Sequence, residues 1–243
     1  MSALSDTDTF HPGRFIRDLL KAPSDRDRQV VVGASNLSNP CARCLANDMI
    51  ATSPSGSGRY WLGAVIGTAI HSHIEDRVNT LGEDRYIPES KVVLGEIDGY
   101  GVVKSTSDLF DVLSGTVVDA KSTTRDKLKF IKRALEDPPH ELEPTLVAEA
   151  RHKVNGYIYQ LLLYGKGQVN AGRAVKRVAL VFICRDGKGD EDIWSWSMDY
   201  DPEEAERVWD RGVRLWAWLQ DGNDPATLPS ALHCWTCNQA KYS

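Results

Sequence analysis

Apolar positions recur at helical spacing between Tyr60 and Asn79 (Leu62, Val65, Ile66, Ala69, Ile70, Ile74 and Val78), which predicts a mostly buried helix. A second stripe runs from Thr145 to Tyr164 through Leu146, Ala150, Val154, Tyr157, Ile158, Leu161 and Leu162 and predicts a long one. Between them lie three runs rich in strand formers: Lys91 to Ile97, Tyr100 to Lys104 continuing through Leu109 to Leu113, and Thr116 to Lys121. The Asp98-Gly99 pair joining the first two is a hairpin signal. A basic helical stretch follows from Arg125 to Leu135, then a loop around Pro138, Pro139 and Pro144. Arg177 to Cys184 and Ile193 to Tyr200 read as two more strands, joined through Gly187 and Gly189. Asp201-Pro202-Glu203-Glu204 combines a helix cap, a first-turn proline and two acids suited to the positive helix end, and the helix it opens runs to about Leu219.

This order predicts an α/β fold with a central mixed β-sheet flanked by helices. Residues 1–30 are polar and interrupted by Pro12 and Pro23, so a flexible arm is expected there, with a single domain over residues 31–243 and a loop from Ala51 to Gly58. The 243 residues, 42% of them hydrophobic and 26% charged, suffice for one sizeable core but not for two independent domains. No apolar run approaches bilayer-spanning length, and Met1 to Phe10 is polar and acidic. The expectation is a soluble, cytoplasmic protein without a secretory signal or membrane partner.

The formal net charge of -5 argues against coating nucleic acid by bulk attraction, while leaving room for local engagement. Arg125, Lys127, Lys129, Lys132 and Arg133 form a basic stretch able to neutralise phosphates beside an acidic site. Taken alone, such a stretch is also what a solvated helix face looks like.

Candidate chemistry lies in four polar clusters: Gly67 to Glu75 with His71, Ser107-Asp108, Asp119-Ala-Lys121, and Gln160 with Tyr164. Cutting a phosphodiester requires a cation on a phosphoryl oxygen, a deprotonated water and charge relief for the leaving oxygen. Asp108 and Asp119 on adjacent strands offer hard ligands for Mg²⁺, and the imidazole of His71 makes Mn²⁺ easier to accept. Lys121 lies two residues from Asp119, so on a strand both side chains point the same way. Each cluster has an ordinary structural explanation; their order and placement on the expected elements distinguish them. Asp98 and Asp111 are rival carboxylates for the Asp108 position.

Five cysteines include two pairs, Cys41-x-x-Cys44 and Cys234-x-x-Cys237, with Cys184 left over. Paired spacing in a chain without a signal favours a metal over a disulfide framework. Four thiolates drawn from near the two ends would tie them together around Zn²⁺ or an iron–sulfur cluster.

The four clusters together resemble the RecB-like branch of the PD-(D/E)XK nuclease superfamily, with its G-x-x-x-H-x-x-x-E helix, G-x-x-D strand, D/E-x-K strand and Q-x-x-x-Y helix. The likeness covers about Leu37 to Tyr164 plus the final cysteines. It implies a restriction-endonuclease-like core, with His71, Asp108, Asp119 and the Ala120 carbonyl as metal ligands and Lys121 as the catalytic lysine. Gln160 and Tyr164 would position DNA or the lysine, and Glu75 would support the metal through water. The chain departs from the pattern at Ser105, where the family usually has glycine. Ser35-Asn-Leu37 ahead of Cys41 resembles the CRISPR-associated RecB-like and AddB-type exonucleases, which implies a [4Fe-4S] cluster, although those proteins supply one cysteine from the front and three from the back.

The resemblance implies a Mg²⁺- or Mn²⁺-dependent DNA exonuclease acting at ends or on single strands in recombination, replication or repair. No G-x-x-x-x-G-K-[ST] loop is present, so unwinding would fall to a helicase or recombinase partner. The other readings are an endonuclease of the same superfamily and a non-catalytic nucleic-acid-binding or assembly protein with a structural four-cysteine site. The sequence leaves cleavage polarity and oligomeric state open.

Overall fold

The computed structural model describes residues 32–51, 61–82, 84–139 and 143–238, so the expected arm at 1–30 and most of the loop from Ala51 to Gly58 lie outside the described residues. Two short front helices, α1 (Ala34–Leu37) and α2 (Ala42–Ile50), precede a 21-residue helix α3 (Trp61–Leu81). Three strands follow: β1 (Tyr86–Ile97), β2 (Gly101–Asp111) and β3 (Thr116–Thr123). Helices α4 (Arg125–Glu136) and α5 (Thr145–Asn170) lead to β4 (Arg177–Cys184) and β5 (Ile193–Asp199). Helix α6 (Pro202–Gln220) and the four-residue α7 (Trp235–Asn238) end the described chain.

The five strands form one mixed sheet whose spatial order matches the chain order, β1-β2-β3-β4-β5. Tight turns join the antiparallel β1/β2 and β2/β3 pairs and a longer loop joins the antiparallel β4/β5 pair, whereas β3 and β4 run parallel and so need the long crossover that α4 and α5 provide. The architecture is thus the expected α/β one, a mixed sheet flanked by helices.

The core lies where α5 crosses the sheet. Leu161, Leu162 and Leu163 are consecutive and all fully buried, so protein surrounds α5 at this level. From the sheet side Val92, Leu94, Phe110, Leu180 and Phe182 meet the same core. Gly165 and Gly167 set the closeness of the approach: a Cβ at Gly165 would lie 2.4 Å from Tyr200, and one at Gly167 would lie 2.5 Å from Val92. Helix α6 opens as its sequence predicts, with the Asp201 carboxylate accepting from the Glu204 amide at 2.9 Å. Its Arg211 donates to the carbonyls of Leu37 and Asn39, at 2.6 and 2.8 Å, and so fastens the front helices to the body.

One burial pattern and two boundaries differ from expectation. Helix α3 is not mostly buried: none of its described side chains is fully enclosed, and Leu62 is 50% exposed, because it packs along one side only, against β1 and β3. Helix α5 continues past Tyr164 to Asn170, through glycines that favour close packing over helix propensity. Strand β1 begins at Tyr86 rather than Lys91, because Pro88 is tolerated on the sheet's outermost strand. Among the described residues, no helix is long and apolar enough to cross a membrane.

Candidate active site

The site forms where β2 and β3 part while β1 and β2 stay paired. Paired register runs from Asp111↔Thr116 to Leu109↔Val118 between β2 and β3 and stops there, so the next positions outward are Asp108 and Asp119. Asp108 Oδ2 fills the opening by accepting from the Ala120 amide at 2.7 Å. On the other side of β2, the pairs Pro88↔Leu109 and Ser90↔Ser107 bracket Glu89 against Asp108. Glu89, Asp108 and Asp119 therefore occupy one row across β1, β2 and β3.

Helix α3 brings His71 over this row, with Nδ1 3.1 Å from Asp108 Oδ1. Ligand atoms of His71, Glu89 and Asp108 all lie within 4.8 Å of one another, a spacing that one cation can bridge. Glu75 lies one helical turn beyond His71, half-buried. Glu89 is absent from the sequence assignment. Its backbone φ of 41° makes it the one non-glycine described residue in the left-handed region. Counting back from the Asp98-Gly99 turn would set Glu89 opposite Leu109; the irregularity between Val93 and Gly95 shifts the register by one and sets it opposite Asp108, which the sequence alone does not show.

Asp119 is almost completely enclosed, at 1% exposure, and its Oδ2 sits 2.6 Å from Lys121 Nζ. Burial, with Asp108 next to it, pushes the Asp119 carboxyl up, to about 6. For Lys121, burial alone would favour the neutral amine, but the charge of Asp119 outweighs it and keeps the ammonium protonated. Asp108 is also resisted by burial, yet the contact with His71, the nearby Lys121 and the Ala120 amide bring it down overall. The same contact raises His71 against its own burial. His71 Nδ1 and Asp119 Oδ2 are buried and make no well-angled hydrogen bond beyond their short contacts with Asp108 and Lys121, so a cation entering here would displace the proton between His71 and Asp108 and take up the imidazole as a ligand.

Lys121 is held from three sides. Besides Asp119, it donates to Gln160 Oε1 at 2.9 Å and lies 4.9 Å from the centre of the Tyr157 ring. Gln160 Nε2 in turn donates to the Tyr164 hydroxyl at 2.6 Å. The Ser105 hydroxyl accepts from the Ala34 amide at 3.3 Å and also meets Tyr164, so the serine standing where a glycine was expected braces α1 and the end of this relay. Of the rival carboxylates, Asp111 closes the β2–β3 turn through Arg85, Ser114 and the Leu113 amide. Asp98 lies exposed in the β1–β2 turn. The structure thus brings His71, Asp108, Asp119, Lys121, Gln160 and Tyr164 together.

The basic stretch on α4 divides. Arg125 grips Asp192 through two contacts, Nε to Oδ1 at 2.6 Å and a shorter one from its terminal nitrogen. Lys129 pairs with Asp126 at 3.0 Å, Arg133 with Asp137 at 3.6 Å, and Lys132 lies 5.2 Å from the Trp194 ring centre. Lys127 instead has cations for neighbours. Burial, then Lys153 and Arg185, lower its affinity for a proton, and Lys153 is lowered by burial and by Lys121 and Arg185. A positive cluster of Lys127, Lys153 and Arg185 therefore borders Lys121.

At the far end, Cys41 caps α2 and Cys44 lies in its first turn, while Cys234 precedes α7 and Cys237 lies within it. Their sulfurs approach at 3.4 Å (Cys44–Cys234), 3.4 Å (Cys44–Cys237) and 3.7 Å (Cys41–Cys237). Burial and the neighbouring thiols push Cys44 up. Burial pushes Cys41 up as well, but backbone hydrogen bonds at Ala231 and Cys44 outweigh it and leave that thiol at about 7. Cys184 stands apart, on β4.

No protein-family model matches the sequence, and no curated protein matches it significantly. Among solved structures the chain is similar to SSO0001, with 17% identity, a TM-score of 0.48, and coverage of 84% of this chain and 83% of that one. It is similar also to an alkaline exonuclease from Laribacter hongkongensis, with 12% identity, a TM-score of 0.43, and coverage of 89% and 96%. A phage-related exonuclease from Haemophilus somnus 129PT matches with 12% identity, a TM-score of 0.44, and coverage of 78% and 82%. At such distance the chemistry has to be read from the site itself.

Proposed function

We propose that the chain is a metal-dependent DNA exonuclease of the PD-(D/E)XK type, with residues 31–243 acting as one nuclease domain. The observation that carries this reading is the convergence of His71, Asp108 and Asp119 beside a lysine held by Asp119 and Gln160. The donor set suits Mg²⁺ or Mn²⁺: the His71 imidazole and the Glu89 and Asp108 carboxylates have ligand atoms within 4.8 Å of one another, and the buried Asp119 carboxylate stands next in the row, paired with Lys121. Bound there, the cation would polarise a phosphoryl oxygen and make a water molecule acidic enough to attack.

His71, Asp108 and Asp119 would hold the cation, with the Ala120 carbonyl as a further ligand. We add Glu89 to this set. Lys121 would hold its ammonium toward the attacked phosphate, orienting the water and offsetting the charge that develops in the transition state. Gln160 and Tyr164 would fix the lysine's position, because a loose ammonium loses most of that benefit. Lys127, Lys153 and Arg185 would guide the phosphate backbone into the site.

The test is degradation of end-labelled single-stranded and linear duplex DNA, beside closed circular DNA, with Mn²⁺, Mg²⁺ or EDTA. Metal-dependent loss of only the substrates with ends is expected, reduced at least about a thousandfold in Asp119→Ala and in Lys121→Ala. Cleavage of the circular substrate would point to an endonuclease. Full activity in either variant would sink the site assignment.

A further inference from the structure

We propose that the four terminal cysteines hold a single zinc ion rather than an iron–sulfur cluster. The inference is independent of the nuclease reading, because it rests on the sulfurs and their surroundings and on no residue of the candidate active site. Around one tetrahedral metal with metal–sulfur bonds of about 2.3 Å, thiolates lie about 3.8 Å apart. In a cubane cluster each thiolate binds a different iron, and neighbouring sulfurs lie roughly 6 Å apart, two metal–sulfur bonds splayed about an iron–iron edge. The observed contacts of 3.4, 3.4 and 3.7 Å, with all four sulfurs within 4.8 Å of one another, have the first spacing and leave no room for the second.

The surroundings resist widening to admit a cluster. Cys41, Cys44 and Cys234 are buried, and the helix behind the first pair is rooted in the core through Leu45 and Ala46, both fully enclosed. Arg43 ties that helix to the tail by donating to the Leu228 carbonyl at 2.7 Å, and the Cys234 amide is fixed on the Ala231 carbonyl at 3.0 Å. Separating the sulfurs by about 2 Å more would mean lifting α2 off the core or breaking the tail's attachment. The 2 + 2 arrangement has the same sense: each Cys-x-x-Cys pair supplies two adjacent corners of one tetrahedron.

The decisive experiment is metal analysis of the full chain, purified without oxygen from iron-replete cells that overproduce iron–sulfur assembly proteins, conditions that favour a cluster. The expected result is about one zinc per chain, no acid-labile sulfide and no visible charge-transfer band. Replacing the zinc with cobalt should give the intense ligand-field bands of a tetrahedral four-thiolate site. Cys237→Ser should lose most of the zinc and alter those bands, whereas Cys184→Ser should keep both; the cobalt spectrum separates loss of a ligand from loss of fold. Iron in any amount matching the chain, with or without sulfide, overturns the proposal. So does protein that is folded by circular dichroism but holds no metal at these cysteines.

Discussion

Glu89 shows most directly how one residue ties backbone geometry to chemistry. A non-glycine residue at positive φ costs on the order of 1 kcal/mol or more, and such strain persists where the surroundings fix it. Here the carboxylate it carries comes within reach of His71 and Asp108. Glu89→Gln should therefore weaken Mn²⁺ binding by about tenfold or more, read by calorimetry or by the Mn²⁺ resonance signal, without lowering the melting temperature. Unchanged Mn²⁺ affinity would remove Glu89 from the ligand set. The residues singled out in the sequence were visible because each carries chemistry on a recognisable element: His71 on a helical stripe, Asp119 and Lys121 at strand spacing, Gln160 and Tyr164 one helical turn apart. Glu89 was hidden because Pro88 masked the strand that carries it. Only the pairing of β1 with β2 reveals its neighbour.

At the scale of elements, local pattern sufficed wherever an element has one wet side. Helix α6, with its Asp201 cap and single apolar face, ran within a residue of expectation. The pattern misled where the tertiary environment departs from the usual one. Apolar spacing suggested a buried α3, yet that helix has the sheet on one side only. The reach of α5 beyond Tyr164 depends on Gly165 and Gly167, whose small size matters only once Tyr200 and Val92 are known to face them. Gly167→Ala forces a methyl into 2.5 Å of Val92 and should destabilise the fold by about 1–3 kcal/mol, seen as a lower denaturation midpoint. A neutral result would mean that α5 can shift on the sheet. Such a shift would also move Gln160, so cleavage rate should be measured on the same sample.

For the whole molecule, the acidic total conceals an uneven distribution. Arg125, Lys129 and Arg133 are met by acids, whereas Lys127, Lys153 and Arg185 repel one another next to the site. Like charges held together favour an anion between them, and each phosphate neutralised adds close to one unit to the salt dependence of DNA binding. Lys127→Ala combined with Lys153→Ala should thus lower the slope of log affinity against log salt by about 1–2, and Lys129→Ala should leave it nearly unchanged. Equal effects from the two sets would show that DNA follows the outer face of α4 instead.

The cysteine centre joins positions 193 residues apart, Cys44 and Cys237. With a metal in place the folded chain is a ring in connectivity, although its backbone is a line. A protease that cuts once in the exposed turn at Gly172 would leave two pieces held by the shared sheet and core as well as by the metal, so chelator and denaturant together, and neither alone, would divide them. The same closure makes the two Cys-x-x-Cys segments a natural point at which to join the ends and begin the chain elsewhere.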